Sequence, residues 1–249
     1  MPPVAPARSA GASRLTTPNP AALPADVCAV VPAYNEGQRI RAVLDTLAQA
    51  PSIREIIVVD DGSDDNTHAV ASAHPAAQTG KLRVLRLPVN QGKGAAMRAG
   101  ADATQAEVLV FLDADLIGLT PTHVDALVAP VANGAADMAL GVFRHGRGPT
   151  DLAQRLVPNI SGQRSIRRDI FLGIPCLTRS GFGVELAITH HIQQEGRVMT
   201  RVVLAGVTHP MKEEKLGLIR GALARLRMYR QMLPYMVPRR RKKAIRPQK

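Results

Sequence analysis

Four short segments place acidic, amide and glycine residues directly after apolar runs: Pro32-Ala33-Tyr34-Asn35-Glu36, Asp60-Asp61-Gly62-Ser63, Asn90-Gln91-Gly92-Lys93-Gly94 and Asp113-Ala114-Asp115. Carboxylates accept hydrogen bonds from hydroxyl and ring N–H groups and suit hard, oxygen-preferring cations. Glycine lets backbone approach a bound group closely, and a lysine set between two glycines offers a cation to phosphate. Turns and helix caps also favour Asp, Asn and Gly. That explains any one segment, but not four with this acidic content.

Strand–helix alternation is what must position them. Residues 27–31 read as a first buried strand, and 36–49 as a helix with Ile40, Val43, Leu44 and Leu47 on one face. Strands follow at 55–60, 82–87, 107–112 and 137–142, separated by helices at 64–73, 92–104 and 122–131. A Gly/Arg-rich loop is expected over 143–158, then a helix near 183–195 and a strand near 197–204. Such alternation builds a mainly parallel sheet with helices on both faces. In open sheets of this kind ligands bind beyond the carboxyl ends of the strands, so the four segments converge on one edge.

The chain has 249 residues, 45% of them hydrophobic and 21% charged, ordinary usage for a folded α/β protein. No apolar run approaches the roughly 18–20 residues of a membrane-spanning helix. Residues 1–24 are rich in Pro, Ala, Ser and Thr without an apolar core, so a disordered leader is expected rather than a signal peptide. Two widely separated cysteines, Cys28 and Cys176, provide neither a disulfide framework nor a four-ligand zinc site, and a reducing cytoplasm is the expected location. The net charge is +12, but residues 210–249 hold 13 basic and 2 acidic side chains, against 19 and 18 in the preceding 209 residues. The body is balanced and the basicity belongs to a tail. That distribution argues against a nucleic-acid groove built into the fold.

Other sites that use similar residues fit poorly. A dinucleotide site needs G-x-G-x-x-G after the first strand, where this chain has none, and Gln91-Gly92-Lys93-Gly94 lacks the spacing and the Ser/Thr of a Walker A loop. A phosphate-receiving signalling domain gathers acids at strand ends but is about half as long as this chain. A haloacid-dehalogenase-type phosphatase wants D-x-D-x-[TV] after its first core strand, whereas Asp113-Ala114-Asp115 follows the fourth and lacks the Thr/Val.

Taken in order, the segments resemble a GT-A-type glycosyltransferase of family 2: V-V-P-A-Y-N-E at 30–36, V-V-D-D-G-S at 58–63, G-K-G at 92–94 and D-x-D at 113–115. The resemblance runs from about residue 27 to 209. Within that family the chain is similar to the glucosyl-3-phosphoglycerate synthase group, through Asp-x-Asp-Leu-Ile at 113–117, Gly-Phe-Gly-Val-Glu at 181–185 and a later histidine, His209. Where that group has Gly-Gly-Glu-Tyr, this chain carries Ser161-Gly162-Gln163-Arg164, in the segment expected to meet the acceptor.

The resemblance implies a GT-A (Rossmann-like) fold and metal-dependent transfer from a UDP- or GDP-sugar to a small anionic acceptor such as a phosphoglycerate. It assigns Asp115 and His209 to Mn²⁺ or Mg²⁺, and Asp113 to the ribose or the metal. Carboxylates with imidazole suit either ion, which would neutralise charge on the leaving diphosphate. Pro32, Ala33, Glu36, Asp60, Asp61, Lys93 and Ala114 are then expected around the nucleotide-sugar, with Asp60 and Asp61 at the nucleobase and ribose. Glu185 is expected to be catalytic, either as a general base in an inverting reaction or as a substrate-positioning group in a retaining one. Gly162 and Arg164, with Arg167 and Arg168 nearby, are expected at the acceptor; the alternative for the arginines is a helix surface near Asp169.

Residues 213–233 read as an amphipathic helix, with Leu216, Ile219, Leu223, Leu226 and Tyr229 on one arc, followed by five basic residues at 239–243. The expected organisation is therefore a leader (1–24), a catalytic domain (25–210, nucleotide-sugar half 25–142 and acceptor half 143–210) and this helix with its basic tail (211–249). The tail admits peripheral contact with anionic membrane, which would suit a lipid or polyprenyl-phosphate acceptor. A non-enzymatic RNA-binding role for the tail is the remaining alternative, weakened by an aromatic content of only 3%. A homodimer is compatible with everything above.

Overall fold

Branched apolar runs that carry no charge until their last residue are suited to central strands covered on both faces. The computed structural model describes residues 25–144, 161–175, 177 and 183–210, and the strands there are β1 (Val27–Ala33), β2 (Glu55–Asp60), β3 (Leu82–Arg86), β4 (Val108–Phe111), β5 (Met138–Arg144), β6 (Arg164–Arg167) and β7 (Met199–Ala205), of which β1 and β4 are the uncharged apolar runs at the centre. They make one seven-stranded sheet in the order β3-β2-β1-β4-β6-β5-β7. β1 pairs in parallel with β2 and β4, β2 with β3, and β5 with β7; only β6 runs antiparallel, between β4 and β5.

The helices are α1 (Ile40–Gln49), α2 (Thr67–Ser72), α3 (Pro75–Gln78), α4 (Lys93–Asp102), α5 (Pro121–Ala132), α6 (Arg168–Gly173) and α7 (Val184–Gln194). Period-two alternation along the strands divides the core. Ala29 and Val31 of β1 and Val58 of β2 join Leu44 of α1 and Leu127 of α5 on one face. Cys28 and Val30 of β1 and Val59 of β2 join Met97 of α4, Phe171 of α6 and Ile188 of α7 on the other. The helices thus cover both faces, as the sequence implies.

Three features differ from the expectation. β1 runs on through Pro32 and Ala33, whose partners are Val59 and Asp60. The first helix begins at Ile40 rather than near Glu36, because the Glu36 carbonyl accepts from the N–H groups of Arg39 and Ile40 and starts it from a turn. β6 and α6 were not anticipated: Arg164-Ser165-Ile166-Arg167 has too little apolar alternation to read as a strand, yet it pairs with both β4 and β5. Of the loop expected at 143–158, Phe143 and Arg144 complete β5 and residues 145–158 lie outside the described residues, as do the leader, Gly181 and the helix and tail expected at 211–249.

Candidate active site

The carboxyl ends of β1, β2 and β4 and the start of α4 lie on one edge, and side chains stitch their loops together. Asn35 sits at φ 56°, a left-handed conformation that Asn tolerates better than most residues. There its N–H donates to Ser63 Oγ (3.0 Å) and its Oδ1 accepts from Asp64 N–H (2.9 Å). Glu36, partly buried, donates its N–H to Thr67 Oγ1 at 2.8 Å.

Asp60 and Asp61, expected at the nucleobase and ribose, turn inward. Asp60 is fully buried; its Oδ1 accepts from Ser63 N–H (2.9 Å) and its Oδ2 lies 3.4 Å from Arg86 Nε. Asp61 accepts from the N–H groups of Gln91 and Gly92, one on each oxygen, both at 2.8 Å. Asp61 therefore clamps the glycine loop. Gly92 adopts φ +91°, which an L side chain would strain. Gly94 serves packing instead, since a Cβ there would lie 2.2 Å from the Leu177 carbonyl oxygen.

The clamped loop delivers Lys93 at the first position of α4. Its Nζ is 2.6 Å from Asp113 Oδ1 and 2.6 Å from Glu185 Oε1, bridging the end of β4 and the first turn of α7. Burial opposes the charged ammonium, but Asp113 and Glu185 outweigh it and hold Lys93 above its usual pKa. Asp113 is partly buried, and burial would raise its pKa, yet Lys93 and His209 keep it below the ordinary carboxylate range. Ala114, 3% exposed, packs into the core between the two acids.

His209 arrives through a backbone bridge. Ile117, just past Asp115, exchanges two hydrogen bonds with Thr208, at 2.9 and 3.0 Å. His209 Nδ1 then lies 3.1 Å from Asp115 Oδ1 and its Nε2 3.7 Å from Asp113 Oδ2. Burial alone would lower the imidazole pKa; the hydrogen bond to Asp115 and the nearby charges of both aspartates raise it instead. Ligand atoms of Asp113, Asp115 and His209 all lie within 4.8 Å of one another, so the trio could hold a metal ion. Two carboxylates and an imidazole match the preferences of Mn²⁺ or Mg²⁺.

The segment expected at the acceptor departs most from the sequence reading. Arg164 is fully buried on β6, donating from Nη1 to the Glu185 carbonyl (3.1 Å) and from Nη2 to the Ser161 carbonyl. Burial, partly countered by Glu185 and Asp113, brings its pKa down to about 10. Arg167 forms an exposed ion pair with Asp169 at 2.8 Å, and Arg168 Nε donates to the Ala101 carbonyl at 2.9 Å. Gly162, half-buried, lies against the site: a Cβ there would fall 2.5 Å from Asp113 Oδ2 and 2.7 Å from Lys93 Nζ. Sequence reasoning missed Gln163, whose Nε2 donates to Asp113 Oδ2 at 2.8 Å. The only available signal was its place in a motif that departs from the related group.

Comparison with known proteins follows the same lines. The family model for glycosyl transferase family 2 matches residues 28–192. Glucosyl-3-phosphoglycerate synthase of Mycobacterium tuberculosis is 29% identical over 193 residues, covering 65% of this chain and 59% of that protein, so the match spans less than two thirds of the relative's length. Dolichyl-phosphate beta-glucosyltransferase of Drosophila melanogaster is 40% identical over 100 residues, 36% of this chain and 31% of that protein. The crystal structure of the M. tuberculosis synthase in complex with Mn²⁺, UDP-glucose and phosphoglyceric acid shares the fold with a TM-score of 0.64 at 25% identity, over 86% of this chain and 81% of that one. With a family match that takes in all four strand-end segments, the chain belongs to glycosyl transferase family 2.

Proposed function

We propose that the protein is a metal-dependent hexosyltransferase that moves a sugar, glucose in the first instance, from a nucleoside-diphosphate sugar to a small anionic acceptor such as a phosphoglycerate. The observation that carries this reading is the cluster of Asp113, Asp115 and His209 beside Lys93, on the edge where the loops of a family 2 chain converge. Asp115 and His209 are the proposed ligands of Mn²⁺ or Mg²⁺, which supplies positive charge to the departing diphosphate. Asp113, already engaged by Lys93, faces the ribose or the metal. Pro32, Ala33 and Glu36 line the nucleotide pocket, while Asp60 and Asp61 hold the loops that shape it. Lys93 adds its ammonium near the phosphates, and Glu185 keeps that ammonium in place and orients the donor sugar. The Mn²⁺, UDP-glucose and phosphoglyceric acid in the M. tuberculosis synthase structure support this choice of donor, ion and acceptor class.

A second reading, with a lipid-phosphate acceptor at an anionic membrane surface, is favoured by the dolichyl-phosphate relative and by the basic residues at 210–249. Among the described residues no helix is long and apolar enough to cross a membrane. Thermal unfolding with UDP- and GDP-sugars, with and without Mn²⁺, tests the donor assignment, because a ligand of the native state must raise the melting temperature. UDP-glucose with Mn²⁺ is expected to stabilise the protein, and Asp115→Ala to remove that gain and lower transfer by about a hundredfold or more. An unchanged gain in Asp115→Ala refutes the metal assignment. Transfer to 3-phosphoglycerate or to a polyprenyl phosphate decides between the acceptors.

A further inference from the structure

Buried polar side chains need partners, and their partners show what they hold in place. Gln163 and Arg164 are both fully buried, on consecutive positions of the segment that enters β6. They reach in different directions, to the two acidic residues that bracket Lys93. The Ser161 hydroxyl donates to Gln163 Oε1 at 2.8 Å, which fixes the amide so that its Nε2 end donates to Asp113 Oδ2 at 2.8 Å. An ionised carboxylate only accepts, so this amide has one productive orientation, and the serine sets it. With Oδ2 held there, Asp113 keeps Oδ1 on Lys93 at 2.6 Å.

Arg164 acts on the other acid. Its guanidinium spans from the Ser161 carbonyl to the Glu185 carbonyl and so joins the start of β6 to the first turn of α7. A planar, always-charged fork is suited to holding two carbonyls at a set separation. Glu185 Oε1 then meets Lys93 Nζ at 2.6 Å.

We infer that Gln163 and Arg164 are positioning residues for the donor side of the site, Gln163 aiming Asp113 and Arg164 anchoring Glu185, and that neither side chain contacts the acceptor. The inference rests on the proposed donor reading, and its test separates the two. Gln163→Met keeps the length of the side chain and removes the donor; Arg164→Lys keeps the charge and removes one arm of the fork. Ser161→Ala leaves both buried side chains in place and frees the amide. The measurements are the melting temperature without ligand, Mn²⁺ affinity, UDP-glucose affinity with Mn²⁺ by calorimetry, and kcat and KM with 3-phosphoglycerate.

Gln163→Met is expected to weaken UDP-glucose binding about tenfold, the scale of one lost hydrogen bond to a charged group, and Ser161→Ala about threefold. Arg164→Lys is expected to lower kcat about tenfold, with the KM for 3-phosphoglycerate within about twofold of wild type in all three. A raised acceptor KM with intact UDP-glucose affinity overturns the inference, as does unchanged UDP-glucose affinity in a folded Ser161→Ala protein. If wild-type protein ignores UDP-glucose, the proposed function fails by itself. Mn²⁺ alone is then the probe: weaker Mn²⁺ binding by Gln163→Met supports the positioning of Asp113, and equal binding overturns it.

Discussion

Residues 27–115 and residues 161–209 contribute to one site by different routes. In the first region every site group lies at or just beyond the end of a parallel strand, or at the helix start that a strand-end carboxylate clamps. In the second, Gln163 and Arg164 enter from an antiparallel strand, Glu185 from the first turn of α7, and His209 from the stretch after β7. Parallel strands joined by crossover helices put their carboxyl ends on the same edge, so chain order alone collects the first set. Nothing local collects the second; it depends on the pairing of β6 with β4 and on the Ile117–Thr208 bridge.

The comparison breaks most visibly at Asp61, which organises the first region. Asp61→Ala removes two hydrogen bonds to a carboxylate, each contributing ~1.5–3 kcal/mol, and leaves the Gln91 and Gly92 N–H groups without that acceptor. UDP-glucose affinity is expected to fall by about tenfold to a hundredfold in calorimetry, while Mn²⁺ affinity stays within about twofold because Asp113, Asp115 and His209 are brought together by the end of β4 and the Ile117–Thr208 bridge, not by the glycine loop. Equal losses in both would show that the glycine loop and the metal cluster are not separable.

A smaller effect sharpens the second region. The imidazole of His209 has a pKa raised above 6.5 by its aspartate neighbours, so without metal its contribution to stability is fully present below pH 6.5 and is lost as pH rises through the higher folded-state value. A metal ion takes the neutral imidazole, so the Mn²⁺-dependent gain in melting temperature should grow over the same pH window. Melting curves from pH 5.5 upward in steps check both slopes, and His209→Gln should flatten them. A metal-dependent gain that falls with rising pH would remove His209 from the cluster.

The smallest effect is expected at Arg167, in the second region but outside the site. Its exposed pair with Asp169 contributes at most ~1 kcal/mol, so Arg167→Ala should change the melting temperature by no more than a few degrees. Transfer kinetics should match wild type. A raised acceptor KM would return Arg167 to the acceptor side.

The readable parts share a physical property. α1 declares itself through Ile40, Val43, Leu44 and Leu47 at helical spacing, and β2 through an unbroken apolar run that ends in acid. β6 does not, because Arg164 and Ser165 are polar positions buried by partners distant in sequence. The same distinction separates two kinds of site residue. Lys93 is legible from the glycines on either side of it, whereas Gln163 looks like an ordinary surface amide until Asp113 is seen 2.8 Å away.

By itself the sequence determined the alternation of strands and helices, the edge on which the acids, the glycine loop and Lys93 gather, and the family to which those segments point. Only the tertiary structure decided which carboxylates remain at the centre of the site. Asp60 and Asp61 turn inward to Ser63, Arg86 and the glycine loop, while Asp113 and Asp115 meet His209, which is 94 residues beyond Asp115. It likewise enclosed Arg164, which composition alone would place in solvent. The reason is that hydrophobic periodicity is a local property carried by the order of residues, whereas a charged group's role depends on the partners that burial forces upon it, and those partners come from anywhere in the chain.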